Sequence, residues 1–337
     1  MPKKYINAFI FIKMNKQLSI WQLIKSSLQQ NIPVMLLYVL ESNGSSPGRQ
    51  GFFMAVSADG AMQGSIGGGI MEHKFVEVAK ERLKAQSLEK VNVRKQVHDK
   101  SAGTNQSGMI CSGEQTILLY PVKKEDETTV QHIIASLEQY ENGMLELSPT
   151  GISFSASIPV TNFSFVQQSE NDWLYQEKIG YKNRLYIIGA GHCALAFAEL
   201  LSKMDFYIHL FDNRENLNTF QQNSFVHEKS LIADYRELEH IVPSGNNHYV
   251  VIMTFGYRTD TIAIKALLNK QFKYIGVLGS KKKMEKLFSD FKEAGIDENK
   301  LNNIHTPIGI HIKSETPEEI AVSIAAEIIK EKNEFLK

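Results

Sequence analysis

A glycine turn in the second half of the chain has the residue types needed to hold a phosphate group. It reads Gly189-Ala190-Gly191-His192-Cys193-Ala194 and stands between an apolar run at 185–188 and a helical pattern. In such a strand–turn–helix setting the first glycine permits the tight turn, the second lets a diphosphate approach the backbone, and the helix N-terminus offers free N–H groups. Asp212 follows the next apolar run, where a carboxylate can accept hydrogen bonds from ribose hydroxyls. The members of this predicted nucleotide site are Gly189, Gly191, His192 and Asp212.

Two side chains inside this turn allow two interpretations. His192 and Cys193 occupy the unspecified positions of the motif, so both can simply point into packing. Alternatively, the helix dipole lowers the pKa of the thiol and favours a thiolate, while the imidazole lies beside a bound phosphate. The sequence leaves this choice open.

A second glycine-rich segment, in the first half of the chain, also leads into a helical pattern. It reads Gly64-Ser65-Ile66-Gly67-Gly68-Gly69-Ile70-Met71-Glu72, and its glycines are costly in conformational entropy. Either an anion approaches this backbone at the helix N-terminus, or the segment is a strained turn packed against another part of the protein. The upstream loop 44–49 either closes on the same ligand or is only a loop. The candidate binding residues here are Arg49, Gly67, Gly68, Gly69 and Glu72, although a carboxylate in the first turn also suits the helix dipole alone.

Two further segments carry groups that could contact a ligand. Cys111 stands just before a predicted strand at 116–120, where it is either a small buried hydrophobe or a reactive thiol. Ser280 follows the apolar run 274–278 and suits a helix N-cap, with three lysines at 281–283 in the first turn. Because lysines are disfavoured at a helix N-terminus, they indicate either an acidic partner or phosphate, or a solvated charge run. Ser280 is therefore a further candidate binding residue.

The elements that position these residues form two domains with a boundary near residue 180. Four apolar runs alternate with helical patterns in residues 181–337, and they lie at 185–188, 207–211, 249–253 and 274–278. This alternation predicts a parallel sheet covered on both faces, a doubly wound α/β fold of the Rossmann type. Residues 1–180 predict a second α/β domain with a mixed sheet, in which the apolar run 34–40 is a buried strand. Met14 offers an alternative start, which would make residues 1–13 an extension.

The composition excludes several classes of protein. Lys plus Arg and Asp plus Glu both number 37, so no general field attracts nucleic acid or an anionic membrane. The two cysteines, Cys111 and Cys193, form neither a CxxC pair nor a secreted disulfide framework, and they suit a reducing compartment. The apolar run near the N-terminus, at 5–12, is too short to span a bilayer. We expect a cytoplasmic protein with no nucleic-acid or membrane partner.

Three groups of motifs occur together in this chain. They are the loop 44–49 with the glycine segment 64–72; Gly189 to Ala194 with Asp212-Asn213-Arg214; and Tyr274-Ile275-Gly276-Val277-Leu278-Gly279-Ser280 with Pro307-Ile308-Gly309 and Thr316-Pro317-Glu318-Glu319. In combination they resemble the XdhC/CoxI family, the xanthine dehydrogenase accessory factors. The resemblance covers about residues 16–332 and is weakest at 123–180.

The resemblance implies a chaperone of the molybdenum cofactor. Members of this family bind the molybdopterin, protect it while a cysteine desulfurase supplies the terminal sulfido ligand, and pass it to a xanthine dehydrogenase-type molybdoenzyme. A phosphate-bearing pterin, bare or extended to a dinucleotide, is compatible with two glycine-rich helix starts. The resemblance also favours a homodimer, or a clamp of two domains around the ligand.

The chain departs from the family pattern at positions that bear on metal binding. The family often has cysteine after the triple glycine, where this chain has Ile70, and histidine after the Met-Thr of the third Rossmann strand, where it has Phe255. If the missing thiol is a metal ligand in relatives, this protein either holds molybdenum differently or binds only a nucleotide. In the first case Cys111, in a turn similar to the family's Cys-Gly-Gly, is the candidate metal ligand, because thiolate suits a metal already bound by dithiolene sulfur.

A different class of function, an NAD(P)-dependent oxidoreductase, would use the same glycine turn. It needs a general acid or base beside the nicotinamide, for which His192, Asp260 and His305 are candidates. None of the three stands in a recognisable catalytic motif. The pattern therefore favours an accessory binding protein over an enzyme.

Overall fold

The computed structural model describes residues 3–5, 16–85, 91–97, 113–158 and 161–334. The chain forms two compact units, Met14–Gly180 and Tyr181–Lys337, and the segment Met1–Lys13 groups with the second unit. We expected residues 1–13 to belong to the first domain or to form an extension of it. The short strand β1 (Lys3–Tyr5) adds to the edge of the sheet of the second unit by antiparallel pairing.

The unit Met14–Gly180 contains helices and two sheets in its described residues. The helices are α1 (Lys16–Gln29), α2 (Gly69–Lys84) and α3 (Glu127–Glu138). The strands are β2 (Val34–Gly44), β3 (Phe53–Ser57), β4 (Met62–Gly64), β5 (Asn92–Val97), β6 (Gly113–Pro121), β7 (Gly143–Ser148), β8 (Gly151–Ser155), β9 (Phe163–Ser169) and β10 (Asp172–Ile179). They form a five-stranded sheet, ordered β4-β3-β2-β6-β5, and a four-stranded sheet, ordered β8-β7-β10-β9. We expected a mixed sheet here, and the described pairings in both sheets are antiparallel.

Strand β2 forms the centre of this unit and explains the continuous apolar run of the sequence. Leu36 and Tyr38 pack into one core cluster with α1, α3 and the four-stranded sheet, whereas Met35 and Leu37 pack into another with α2. Because neighbouring side chains of a strand point to opposite faces, a strand covered on both faces is apolar at every position. The prediction of a buried strand at 34–40 is confirmed.

The second unit is built around a parallel sheet. Its strands are β11 (Asn183–Ile188), β12 (Phe206–Asp212), β13 (Glu228–Leu231), β14 (Gly245–Ile252) and β15 (Phe272–Val277). The sheet order is β1-β13-β12-β11-β14-β15, with parallel pairing from β13 to β15. Its helices are α4 (His192–Leu201), α5 (Asn218–Gln222), α6 (Leu238–Ile241), α7 (Tyr257–Leu267), α8 (Lys281–Glu293), α9 (Glu298–Leu301) and α10 (Pro317–Asn333). Four of the parallel strands match the predicted apolar runs, whereas the short β13 was not predicted.

Helices cover both faces of this sheet. Leu185 and Ile187 of β11 pack into one cluster with α4 and α10, and Tyr186 and Ile188 pack into another with α7 and α8. The prediction of a doubly wound Rossmann-type domain is confirmed. The order of strands reverses between β11 and β14, and in such sheets ligands bind at the carboxyl ends of the strands beside this switch point. Among the helices of the described residues, none is long and apolar enough to cross a bilayer.

Candidate functional site

The turn after β11 lies at the switch point of the Rossmann sheet. Gly189 has a φ of 102°, and a Cβ atom built there would lie 2.4 Å from the carbonyl oxygen of Met253 at the end of β14. A side chain at this position is therefore excluded by both backbone conformation and contact. The glycine brings the loops after β11 and β14 together.

Gly191 differs from Gly189, because the fold does not require a glycine there. It is the N-cap of α4 with a φ of −71°, and an added Cβ would meet no atom within 4 Å. Gly256, the N-cap of α7 after β14, also faces open space. Neither cap residue has a side chain that bonds the helix N–H groups. At this edge of the sheet, the Rossmann edge, two helix N-termini thus offer donors and room to an anion, and the exposed His192 begins α4.

Asp212 holds the glycine turn in place through a hydrogen bond. Its fully buried carboxylate accepts a hydrogen bond from the N–H of Ala190 at 2.7 Å. Arg214 donates to both carboxylate oxygens, from Nε at 2.9 Å and Nη2 at 2.8 Å, and this bonding raises the pKa of the guanidinium. The side chain of Thr219 donates to the Ala190 carbonyl. We expected Asp212 to face ribose hydroxyls; in the structure its oxygens bind the protein's own N–H groups.

The two side chains inside the turn have different surroundings. Cys193 packs against the core cluster of α4 and α10. Burial raises the pKa of its thiol, and the nearby Glu318 adds to this effect. The structure therefore favours the packing interpretation of Cys193 over the thiolate one, while His192 is exposed.

The start of α8 contributes a cap and an ion pair to the same edge. The hydroxyl of Ser280 accepts a hydrogen bond from the N–H of Lys283 at 3.3 Å. The ammonium group of Lys283 forms an ion pair with the fully buried Asp260 of α7, which Thr254 also hydrogen-bonds. Burial raises the pKa of Asp260, although the hydrogen bonds from Lys283 and Thr254 oppose this effect. At least one of the three lysines at 281–283 is thus not part of a solvated charge run.

In the first unit, the glycine segment before α2 packs against the loop 44–49. Gly67 has a φ of 127°, and a Cβ atom there would lie 2.3 Å from the backbone nitrogen of Gly48. A Cβ at Gly48 would lie 2.0 Å from the carbonyl oxygen of Ile66. The two loops therefore meet backbone to backbone, and both need glycine at the contact. Gly68 and Gly69 also have positive φ values, of 75° and 68°.

The carboxylate of Glu72 bonds the N–H groups of this segment. One oxygen, Oε2, accepts from the Ser65 hydroxyl at 2.7 Å and from the N–H groups of Ile66 and Gly68 at 2.8 and 2.9 Å. Partial burial opposes ionisation, but these hydrogen bonds outweigh it and lower the pKa of Glu72. Glu72 thus takes the position that an anionic ligand would need. Arg49 is exposed and donates to the Gly44 carbonyl at 3.1 Å.

The remaining part of the prediction concerns a metal site. Cys111 lies outside the described residues, so its role as a metal ligand stays a prediction. Ile70 is 56% exposed at the start of α2. Within the part of the chain that the structure describes, no three His, Cys, Asp or Glu side chains gather as a metal site requires.

Three features of the Rossmann edge were not found from the sequence. They are the open cap Gly256, the buried ion pair of Arg214, and the exposed ring of Phe255. The substitution of Phe255 for a family histidine was the only signal that pointed to this loop. A cavity of about 720 Å³ lies elsewhere, at the amino ends of β14 and β15, and is lined by residues 246, 267–275, 300 and 302–305.

A parallel sheet with helices on both faces and a glycine turn at its switch point defines a domain of the Rossmann type. Comparison with known families agrees: the model of the XdhC Rossmann domain matches residues 185–328, and that of the XdhC and CoxI family matches residues 27–92. The chain thus carries both the XdhC Rossmann domain and the XdhC and CoxI family segment.

Individual relatives are distant. The chain is 26% identical over 313 residues to the uncharacterized protein YqeB of Escherichia coli (strain K12), covering 90% of this chain and 44% of YqeB. It is 27% identical over 163 residues to a probable xanthine dehydrogenase subunit of Bacillus subtilis (strain 168), covering 47% of this chain and 45% of that protein. The chain thus spans less than half the length of these two relatives.

A solved structure shares the fold. It is a Bacillus halodurans protein named as a xanthine dehydrogenase, with a TM-score of 0.68 and 22% sequence identity. The match covers 94% of this chain and 96% of that one. At this identity the likeness concerns the fold alone.

Proposed function

We propose that this chain is an accessory protein of a xanthine dehydrogenase-type molybdoenzyme, which binds the molybdenum cofactor and delivers it to the apoenzyme. The observation that carries the proposal is Gly191, an open glycine cap at the switch point of an XdhC Rossmann domain. The names of the Bacillus subtilis and Bacillus halodurans relatives support the choice of partner.

The residues of the Rossmann edge fit the phosphate of such a cofactor. The N–H groups at the starts of α4 and α7 would bind it, and Gly191 and Gly256 leave the space that it needs. Both buried carboxylates at this edge, Asp212 and Asp260, have a cationic partner, so they do not repel an anion as free charges would. When bound, the cofactor supplies the redox-active molybdenum of the client enzyme; this chain contributes binding and protection.

An oxidoreductase is the weaker alternative. An NAD-dependent enzyme of this fold uses a carboxylate that accepts from the ribose, whereas Asp212 is fully buried and its oxygens bond Ala190 and Arg214. A member that binds a nucleotide without handling metal is favoured by Ile70, which cannot ligate molybdenum in place of a thiol. The cysteine desulfurase, the homodimer and the metal ligand Cys111 stay predictions.

The proposal is tested by purifying the protein from cells that make molybdenum cofactor. Oxidation of the bound material should yield pterin fluorescence, and the loaded protein should activate cofactor-free xanthine dehydrogenase. Ala294→Val, which enlarges an exposed residue at the end of α8, serves as a control and should behave like the wild type. Nucleotide absorbance without pterin, together with no activation, would favour the metal-free alternative.

A further inference from the structure

Phe255 is unusual among the apolar side chains of this protein. It is 85% exposed, whereas the next most exposed large apolar residue in the described part of the chain, Ile158, is 58% exposed. Exposure of a single apolar residue is ordinary, but the place of this one is not. It lies in the loop between β14 and α7, at the switch point and next to the open cap Gly256.

A rigidly held cation lies beside the aromatic ring. The guanidinium carbon of Arg214 is 5.6 Å from the centre of the Phe255 ring, within the range of a cation–π contact. Arg214 is fixed in turn by its two hydrogen bonds to the buried Asp212. The same carboxylate holds the N–H of Ala190 in the glycine turn. The ring is therefore coupled through two residues to the turn that offers Gly191.

Flat, exposed groups at such an edge suit a flat ligand. Phenylalanine rings and guanidinium planes both stack on heteroaromatic rings, and base–aromatic stacking tolerates any ring with a π-face. The N–H groups of α4 and α7 recognise only a phosphate and cannot distinguish the rest of the molecule. An aromatic side chain beside them would supply the missing recognition.

We propose that Phe255, supported by Arg214, is the stacking platform for the planar heteroaromatic ring of the ligand whose phosphate is bound at Gly191. The ligand class is a phosphorylated purine or pterin. This inference rests on the binding part of the proposed function and adds its ring-specific determinant. It also assigns a role to a position where the chain departs from its family.

Two probes separate ring binding from phosphate binding. Guanosine 5′-monophosphate carries a planar base and a phosphate, whereas ribose 5-phosphate carries the phosphate without the ring. Calorimetric titration should show that Phe255→Ala weakens guanosine monophosphate binding by at least about tenfold and leaves ribose 5-phosphate binding unchanged. Gly191→Val should weaken the binding of both. Equal affinity of the wild type and Phe255→Ala for guanosine monophosphate, or no binding by the wild type, would overturn the proposal.

Fluorescence gives a second reading that does not depend on affinity. The two native tryptophans, Trp21 and Trp173, are buried in the other unit, so a new one can be observed against a constant background. Emission from Phe255→Trp should be quenched by guanosine monophosphate but not by ribose 5-phosphate, and Phe52→Trp, at a partly exposed site of the first unit, should respond to neither. Unchanged emission from Phe255→Trp while the nucleotide binds would contradict stacking.

Activation of apo-xanthine dehydrogenase distinguishes this inference from the proposed function. Nucleotide binding that depends on Phe255, without activation by the wild type, would leave the platform intact and remove the chaperone role. Nucleotide affinity unaffected by Phe255→Ala, with activation lost, would instead make Phe255 a contact for the client enzyme and overturn the platform.

Discussion

The two glycine turns of this protein begin from nearly the same sequence signal and are built for different reasons. In the first unit, Gly67 is packed against Gly48, and Glu72 occupies the nearby N–H groups. In the glycine turn of the second unit, Gly189 is enclosed, whereas Gly191 opens onto free space before α4. In the first turn the carboxylate of Glu72 follows the glycines and bonds N–H groups of the segment. In the second turn Asp212 bonds the N–H of Ala190, but the cap Gly191 has no side chain to bond the N–H groups at the start of α4.

The difference shows that glycine content does not by itself identify an anion site. Where a positive φ and a close backbone contact require a glycine, the fold alone explains the residue. Where a glycine has an ordinary φ and no neighbour, the fold does not explain it, and an approaching ligand can. By this criterion the Rossmann turn is the better candidate for the ligand-binding site, and the glycines before α2 serve the contact between two loops.

The largest expected effect comes from the enclosed glycine of the first unit. Gly67→Ala places a Cβ atom 2.3 Å from the Gly48 nitrogen at a φ of 127°, and should cost roughly 3 kcal/mol of stability from strain and overpacking together. Gly68→Ala has a positive φ but no neighbour within 4 Å, and should cost only about 1 kcal/mol. Because both tryptophans lie in this unit, urea unfolding followed by their fluorescence measures the pair. Equal losses would mean that the loop contact is unimportant.

In the second unit, the ion pair of Arg214 with the buried Asp212 supports the glycine turn. Arg214→Ala removes the partner of the fully buried Asp212 and should cost about 2 kcal/mol, below the range for fully buried pairs because the guanidinium is partly exposed. Hydrogen exchange should show the loss as faster exchange in β11 and β12. Arg236→Ala, which removes a solvent-exposed partner of Asp234, is the matched comparison and should change little. An equally small effect of both substitutions would show that the ion pair of Arg214 with Asp212 does not stabilise the turn.

Glu72 should give a smaller effect that depends on pH. Its pKa in the folded protein is lowered, so its stabilising contribution is present above the ordinary value of 4.5 and is lost as pH falls through the lower folded pKa. Glu72→Gln should cost on the order of 1 kcal/mol near neutral pH and should flatten the acid dependence of unfolding as pH falls below the ordinary value of 4.5. Urea midpoints across this range measure it. If Glu72→Gln left the acid dependence unaltered, the carboxylate of Glu72 would not bond the N–H groups of this loop in solution.

Much of the Rossmann domain could be predicted because its determinants are local. The apolar run, the glycines and the helical pattern around Gly189 are consecutive, and the alternation of strands and helices sets the sheet. The contact of Gly48 with Gly67 could not be predicted, because it depends on how separate strands place two loops. The pairing of β1 with β13 joins the two halves of the chain and has no sequence signal of its own.

The position of the candidate site was predicted from the sequence, but the roles of its side chains were not. Asp212 stands where a ribose-binding acid is expected, but Arg214, two residues later, takes its oxygens. Glu72 was a candidate ligand-binding group and instead bonds the loop that contains it. Hydrogen-bond partners of this kind depend on side-chain geometry, which residue types and spacing do not contain.

The central claim is that ligand binds at the open glycine of the Rossmann turn and not at the glycine segment before α2. The most direct measurement compares pterin content and melting temperature of Gly191→Val and Glu72→Gln, each purified from cells that make molybdenum cofactor. Gly191→Val should melt like the wild-type protein freed of ligand, because a Cβ atom at this position meets no atom within 4 Å, yet should carry no pterin. Glu72→Gln should be less stable and retain pterin. Full pterin content in Gly191→Val, with loss in Glu72→Gln, would contradict the account.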